Sequence, residues 1–448
     1  MKISNTRGDR IAVIGSGIAG LSAAWLLSQR HDVTVFEGNA HIGGHSNTRT
    51  VMMEDGPVAV DTGFIVYNEA TYPNLTAMFK HLDVATEASN MSFAFSLDQG
   101  RYEYNGTGLR GVFGQTGNIV NLRHWQMLSD IRRFFSTAPD RVSLYDDAIS
   151  LGEFLEHENF SKAFLEDHIM PMASAIWSSP AVAMNSFPAR SFIDFYNNHG
   201  LLKFRNRPQW RTVSGGAQNY VSRMIRSGAF KTMTDFAITS VVRKPNGIEI
   251  RDGDGNLMHF DQVVLACPAD AALGLLKDAD QQETFVLGKF KYSNNKTVLH
   301  TDRRHMPKRR HLWASWNYLC SSDAGSAAGA SCTYWMNRLQ SLKTETDLMV
   351  TLNATGEIDP ECVLYRTDYR HPILDTASMA AQKHLWQLQG NRNTWFCGSY
   401  FGYGFHEDAL QSGLAVAEQA GGVRRPWNVE NESGRIHIEP VWAMEAAE

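Results

Sequence analysis

The residues with the most legible chemistry are Gly15, Ser16, Gly17, Ile18, Ala19 and Gly20, a G-x-G-x-x-G spacing directly after the apolar run Ile11-Ala12-Val13-Ile14. In that arrangement Gly15 permits a tight turn, Gly17 lets the backbone approach a pyrophosphate, and Gly20 allows close helix packing. The helix that follows directs unpaired N–H groups at the phosphates. Glu37 ends the next β-branched run, Asp32-Val33-Thr34-Val35-Phe36, where a carboxylate accepts hydrogen bonds from a ribose. These residues predict a dinucleotide site, and on their own they suit NAD as well as FAD.

The elements that must position them form a βαβ unit. Ile18, Leu21, Trp25 and Leu26 recur at helical spacing and predict an amphipathic helix between two parallel strands. A second G-x-G-x-x-G match, Gly106 to Gly111, is rejected, because no apolar strand is read before it and Gly114 and Gly117 spoil a following helix. The rest of the chain divides by pattern. Residues 120–200 read as largely helical, with breaks at Pro171, Pro180 and Pro188, and 285–370 read as sheet, including Thr297–His300 and Cys332–Trp335.

Bulk properties narrow the class. A chain of 448 residues with 43% hydrophobic content buries a large core, and a net charge of -5 gives no general attraction for nucleic acid. Nucleic acid is therefore excluded as a partner. The five cysteines, Cys267, Cys320, Cys332, Cys362 and Cys397, form no C-x-x-C pair, which argues against a disulfide framework and predicts no metal site. A cytoplasmic location is expected, with no signal peptide and no membrane span.

Downstream motifs decide between the cofactors by resemblance. Gly43-Gly44-His45-Ser46, the segment Asp61-Thr62-Gly63-Phe64, Val213-Ser214-Gly215-Gly216-Ala217, the strand Ile238–Val242 and the stretch Gly398 through Leu410 together resemble the flavin amine oxidase and phytoene desaturase superfamily. The resemblance implies non-covalent FAD. It gives the Gly43-Gly44 pair to the phosphates and ribityl chain, Thr62, Gly63 and Phe64 to the isoalloxazine, and a backbone amide near Val242 to the adenine. It also places the helix start at Glu407, Asp408, Ala409 and Leu410 beneath the flavin. There the N–H groups of the helix stabilise negative charge, while Asp408 is equally readable as a cap. His45 departs from the Arg or Lys usual after the glycine pair.

The implied fold is α/β, amine oxidase-like: a discontinuous Rossmann-like FAD-binding domain from 1–75, 210–275 and 390–425, and a mixed-sheet substrate domain from 76–209 and 276–389. A helical subdomain spans about 120–200, and 426–448 is read as a loosely packed tail. Longer stretches, among them Lys291–Asn294, Trp313–Tyr318 and Gly402–Glu407, are similar to bacterial flavin-dependent desaturases of methyl-branched phospholipid acyl chains in furan fatty acid synthesis. That implies loss of two hydrogens from the chain, with hydride to flavin N5, proton removal by His406 or Glu407, and oxygen or another carrier as final acceptor. A lipid substrate implies peripheral contact with an anionic surface on the inner face of the cytoplasmic membrane, for which Arg303, Arg304, Lys308, Arg309 and Arg310, near Trp313 and Trp316, are the candidates. An amine oxidase, with Lys296 as its flavin-side lysine, and a non-catalytic flavin-binding protein remain alternatives. Trp177, Trp210, Trp313, Trp316, Tyr318, Trp335, Tyr400, Phe401 and Tyr403 are candidate pocket walls.

Overall fold

The computed structural model describes residues 8–322 and 330–438. β1 (Arg10–Ile14), α1 (Ile18–Leu27) and β2 (Asp32–Phe36) form the expected βαβ unit. β1 is the middle strand of a parallel five-stranded sheet ordered Lys231–Met233, β2, β1, Gln262–Leu265, Thr394–Phe396. Parallel strands need cover on both faces, and Ile11, Ala12, Val13, Val263, Val264 and Leu265 are accordingly fully buried. The strands come from widely separated stretches of sequence, so the sheet closes only after the intervening chain has returned.

α1 corrects the expectation of an amphipathic helix, because every residue from Ile18 to Leu27 is buried. Its outer side is covered by the helix His406–Gly421, which approaches so closely that a Cβ on Gly413 would stand 2.2 Å from the Ala19 carbonyl oxygen. Two antiparallel attachments extend this unit. One is the hairpin of β3 (Thr48–Met53) and β4 (Gly56–Asp61), the other the sheet of Ile238–Lys244, Gly247–Asp252 and Leu257–Phe260.

The second layer is a seven-stranded sheet running Val363–Ile373, Lys291–His300, Met349–Leu352, Ala330–Trp335, Trp316–Cys320, Phe93–Leu97, Tyr102–Asn105. All its pairs are antiparallel except Trp316–Cys320 with Phe93–Leu97. Helices between Leu122 and Asn198 pack on it through Phe134, Phe154, Phe164, Phe192 and Tyr196, which share a core with Phe95, Tyr318 and Tyr334. A small sheet of Tyr67–Asn68, Trp210–Val213 and Thr86–Ser89 joins the layers.

Two readings change. A strand, Tyr102–Asn105, does precede Gly106, and a helix does follow it, but that helix is only Gly108–Val112 and the strand lies at the edge of the seven-stranded sheet, outside any βαβ unit. The tail is packed as far as it is described. Trp427 stacks on Trp25, Ile436 is buried, and Arg435 bonds Asp408, while residues 439–448 lie outside the described part. Among the described residues no helix is long and apolar enough to cross a membrane.

Candidate functional site

The glycine loop is held from behind by β2. Gly15 takes a φ of +108° and donates its N–H to the Phe36 carbonyl at 2.9 Å. Glu37 accepts from the Ser16 N–H at 3.1 Å and its hydroxyl at 2.6 Å, and its other oxygen accepts from the Asn39 N–H and amide. The Ser16 hydroxyl in turn receives the Gly43 N–H at 3.1 Å, which draws the Gly43-Gly44 loop over the start of α1. Beyond Gly17 there is open space: a Cβ built there meets nothing within 4 Å.

That space is one end of a cavity of about 1020 Å³. It passes Gly15–Ala19, Glu37 and Gly44, runs along Gly63-Phe64 and the helix start at Gly404–His406, and continues among Trp177, Phe195, His199 and Tyr334. It reaches Gly106–Gly108, Phe135 and Arg207, of which the glycines and Arg207 are exposed.

Midway, the His406 ring lies flat on Phe64, centroids 3.8 Å apart and planes 8° apart. Its Nε2 is 2.7 Å from the Tyr220 hydroxyl and 3.2 Å from the Ser46 hydroxyl, and those two hydroxyls bond each other. Burial pushes His406 down to about 3, so the ring is neutral, and burial also raises the Tyr220 phenol, which keeps its proton. Also on the cavity wall, His45 stacks on Tyr369 at 4.8 Å and stands 5.1 Å from His371. His45 is lowered to about 4 and His371 to about 3, both by burial. The Asn295 amide donates to His371 Nδ1 at 2.8 Å, which leaves the ring proton on Nε2. The buried His45 Nε2 has no partner among the described residues.

Of the residues singled out in the sequence, the structure brings Gly15, Ser16, Gly17, Ile18, Ala19, Glu37, Gly44, His45, Thr62, Gly63, Phe64, Gly398, His406 and Ala409 to the cavity wall. Gly20, Gly43, Ser46 and Leu410 stand behind that wall. Glu407 is turned away and fully buried: its carboxylate accepts from the Asn74 N–H and amide, the Leu75 N–H and the Gln411 amide. With every oxygen engaged in holding the start of α2 (Pro73–His81), it is not placed to take a substrate proton. Asp408 accepts the Phe405 N–H at 2.7 Å and pairs with Arg435, a helix-end role. Val242 pairs with Glu249 inside its strand, and the cavity is bordered instead by Phe236, Ala237 and Ile238. Lys296 is exposed opposite Asp368 and outside the cavity wall.

Among the candidate walls, Trp177, Trp210, Trp316 and Tyr400 line the cavity, whereas Trp313, Tyr318, Trp335, Phe401 and Tyr403 do not. In the basic run Arg303 and Arg310 pair with Asp347, Arg304 with Asp302, and Arg309 with Glu103, while Arg303, Arg304, Lys308 and Arg310 are exposed and Trp313 is buried. Sequence reasoning missed His168, His199, His371 and Arg207 on the cavity wall. They come from separate elements, and no local spacing marks them.

The open face of Gly17, the N-terminus of α1 beside it and the unpartnered His45 nitrogen fit a long, anionic, hydrogen-bonding cofactor such as FAD. Among the described residues no group of three or more His, Cys, Asp or Glu side chains could hold a metal ion, and the cysteines are free. Burial raises the Cys267 thiol, on the cavity wall, to about 12.

The profile of the family described as flavin containing amine oxidoreductase matches residues 18–420. A coproporphyrinogen III oxidase of Staphylococcus aureus is 25% identical over 187 residues, which are 40% of this chain and 39% of that protein. A 4,4'-diapophytoene desaturase of Staphylococcus aureus is 54% identical over 39 residues, 8% of each chain. The chain thus spans less than half the length of these curated relatives. A crystal structure of a CLA-producing fatty acid isomerase from P. acnes shares the fold, with a TM-score of 0.63 at 16% identity over 93% of this chain and 99% of that one.

Proposed function

Because the chain belongs to the flavin-containing amine oxidoreductase family and is a FAD-dependent oxidoreductase, we propose that it removes two hydrogens from a methyl-branched phospholipid or fatty acyl chain, acting as a desaturase. The observation that carries this reading is the lining of the cavity beyond the cofactor end. Glu37 is the only carboxylate on the wall among the described residues, and it is tied to the glycine loop. From Phe64 outward the wall is mainly aromatic and aliphatic, with the uncharged Asn90, Ser92, Thr107 and Ser178 among it; its histidines are lowered by burial, and the cation Arg207 stands at the exposed end. An alkyl chain gains free energy from every methylene buried there, about 0.8 kcal/mol each. An ammonium group would give up its water and meet no counter-charge, at a cost of several kcal/mol.

When bound, FAD supplies a two-electron acceptor for a C–H bond. The chain's own residues would do the rest. The first turn of α1 and Glu37 hold the nucleotide, and His45 offers its unpartnered nitrogen to the cofactor. Trp177, Phe195 and Tyr334 hold the alkyl chain and exclude water. His406, neutral on the cavity wall with Phe64 stacked on its ring, would take the proton from the neighbouring carbon as the double bond forms, once its Nε2 is released from Tyr220 and Ser46. Arg207 receives an anionic head group. Oxygen or another carrier then takes the electrons. The fatty acid isomerase that shares the fold is a precedent for an acyl chain in such an architecture.

The test is anaerobic titration of the FAD-loaded protein. Bleaching of the flavin absorption by a methyl-branched phospholipid, with no bleaching by mono- or diamines, is the expected result, and mass spectrometry should show the acyl chain lighter by two hydrogens. Bleaching by amines alone would overturn the proposal in favour of an amine oxidase.

A further inference from the structure

The cavity opens beside an unusual stretch of surface. Leu109, Ile119, Val120, Leu122 and Trp125 are all exposed, with Val120 at 82% and Leu122 at 84%. Leu109, Phe113, Ile119 and Trp125 line one shallow groove with Arg110. The Trp125 ring stands 5.1 Å from Phe113 and donates its N–H to the Ile119 carbonyl at 2.8 Å, which holds it in place at the surface. Contiguous exposed apolar side chains of this kind need a partner.

The same face carries cations without counter-ions. Helix Leu122–Val142 starts in the apolar stretch, and Arg132 lies two turns on from Trp125 along one face of it. A further turn brings Phe135, which lines the cavity and contacts Phe204 at 4.9 Å. Phe204 is 66% exposed and stands within the run Lys203, Arg205, Arg207. Among the described residues, Arg110, Arg132, Lys203, Arg205 and Arg207 pair with no carboxylate, whereas the nearby acids Asp130, Glu166 and Asp167 are already held by Arg133 and Arg123. On a chain of net charge -5 this is a local concentration of free positive charge.

We infer that this face, from the groove of Leu109 to Trp125 across to Phe204, docks the protein on a bilayer containing anionic phospholipid. The apolar tips enter the acyl boundary, Trp125 sits at the head-group level, and the surrounding cations meet lipid phosphates. The site of docking differs from the Arg303–Arg310 run, whose four arginines pair with Asp347, Asp302 and Glu103. The cavity reaches the surface at Gly106–Gly108, immediately before Leu109, so an acyl chain would pass from the bilayer to the cavity without crossing water. This last step rests on the lipid reading of the site, while the docking does not.

Co-sedimentation of the FAD-loaded full chain with vesicles tests it. The vesicles contain straight-chain phosphatidylcholine with or without phosphatidylglycerol, so that no methyl-branched substrate is present. The protein should pellet with the phosphatidylglycerol vesicles, and less so as salt rises. Arg205→Glu should weaken partitioning roughly fivefold or more, and Val120→Asp with Leu122→Asp by at least about tenfold. Met52→Glu, at another exposed apolar position, should leave it unchanged. A wild-type protein that stays in the supernatant with phosphatidylglycerol vesicles would overturn the inference, as would undiminished binding of the double variant. If the double variant instead converts a wild-type dimer to monomer with no vesicle binding by either, the face joins two copies and the membrane assignment falls. Flavin bleaching by detergent-dispersed substrate reports on the dehydrogenation separately, so the two proposals fail independently.

Discussion

At the scale of single residues the cofactor end is governed by what each glycine excludes. Gly17 and Gly20 sit three apart, yet the space around them is opposite. A methyl on Gly17 meets nothing within 4 Å, whereas one on Gly20 would lie 2.0 Å from the Gly15 carbonyl oxygen. Gly17→Ala is therefore expected to unfold at the same denaturant midpoint as the parent while its FAD affinity falls at least about tenfold, because the methyl fills the space left for the phosphates. Gly20→Ala should cost roughly 1–3 kcal/mol of stability through overpacking. Urea unfolding and fluorescence titration of apoprotein with FAD separate the two effects, and unchanged FAD affinity in Gly17→Ala would remove the phosphate assignment. Such positions were legible in the sequence because each requirement is local. His371 and His199 were not, since they reach the cavity from a strand and a helix end that meet only in the folded chain.

At the scale of elements, Glu407 shows how a residue beside a reactive centre can serve architecture. It lies in the first turn of helix His406–Gly421 and accepts the Asn74 and Leu75 N–H groups at the N-terminus of α2, both at 3.0 Å. One carboxylate thus satisfies two otherwise orphaned donors of another helix. Glu407→Gln keeps the shape but turns an N–H₂ group toward a donor, so a loss of about 1–3 kcal/mol in stability is expected. Turnover per folded, FAD-loaded molecule should stay within about twofold, as expected for a residue that does not meet substrate. A large fall in turnover with a changed pH profile and an unchanged melting temperature would restore it as a proton acceptor. Sequence position alone put His406 and Glu407 side by side as candidates, and the helix geometry separated them by sending neighbouring side chains to different faces. The same limit applies to α1: its apolar spacing announced a helix, while only the packing of Gly413 on Ala19 showed that its outer side is covered too.

At the scale of the whole molecule, the layered architecture followed from the order of motifs, because a parallel sheet assembled from Ile11–Ile14, Gln262–Leu265 and Thr394–Phe396 forces the intervening segments into a second layer. What spacing could not show is how many histidines that layering removes from water. His45, His168 and His300 are lowered to about 4, and His199, His371 and His406 to about 3, with burial the leading cause in each. In the unfolded chain the same groups titrate near 6.5. Between those values the unfolded state binds more protons than the folded one, so stability falls as pH falls, beginning at about 6.5 and continuing to about 4 for three of them and about 3 for the other three, by roughly 1.4 kcal/mol per pH unit for each histidine well inside the window. Asp61 works in the other direction. Burial raises it to about 6, so its ionised form strains the fold at neutral pH and its protonation relieves that strain on acidification. Burial raises Asp167, Asp194 and Asp408 in the same sense, and it also lowers His41, His124 and His437, so among the described residues nine lowered imidazoles outnumber four raised carboxyls, against a native stability of typically about 5–15 kcal/mol. The urea midpoint is therefore expected to drop steeply between pH 6.5 and 5, with loss of FAD accompanying unfolding, and a midpoint that stays level across that interval would show that these imidazoles are not held neutral in the fold.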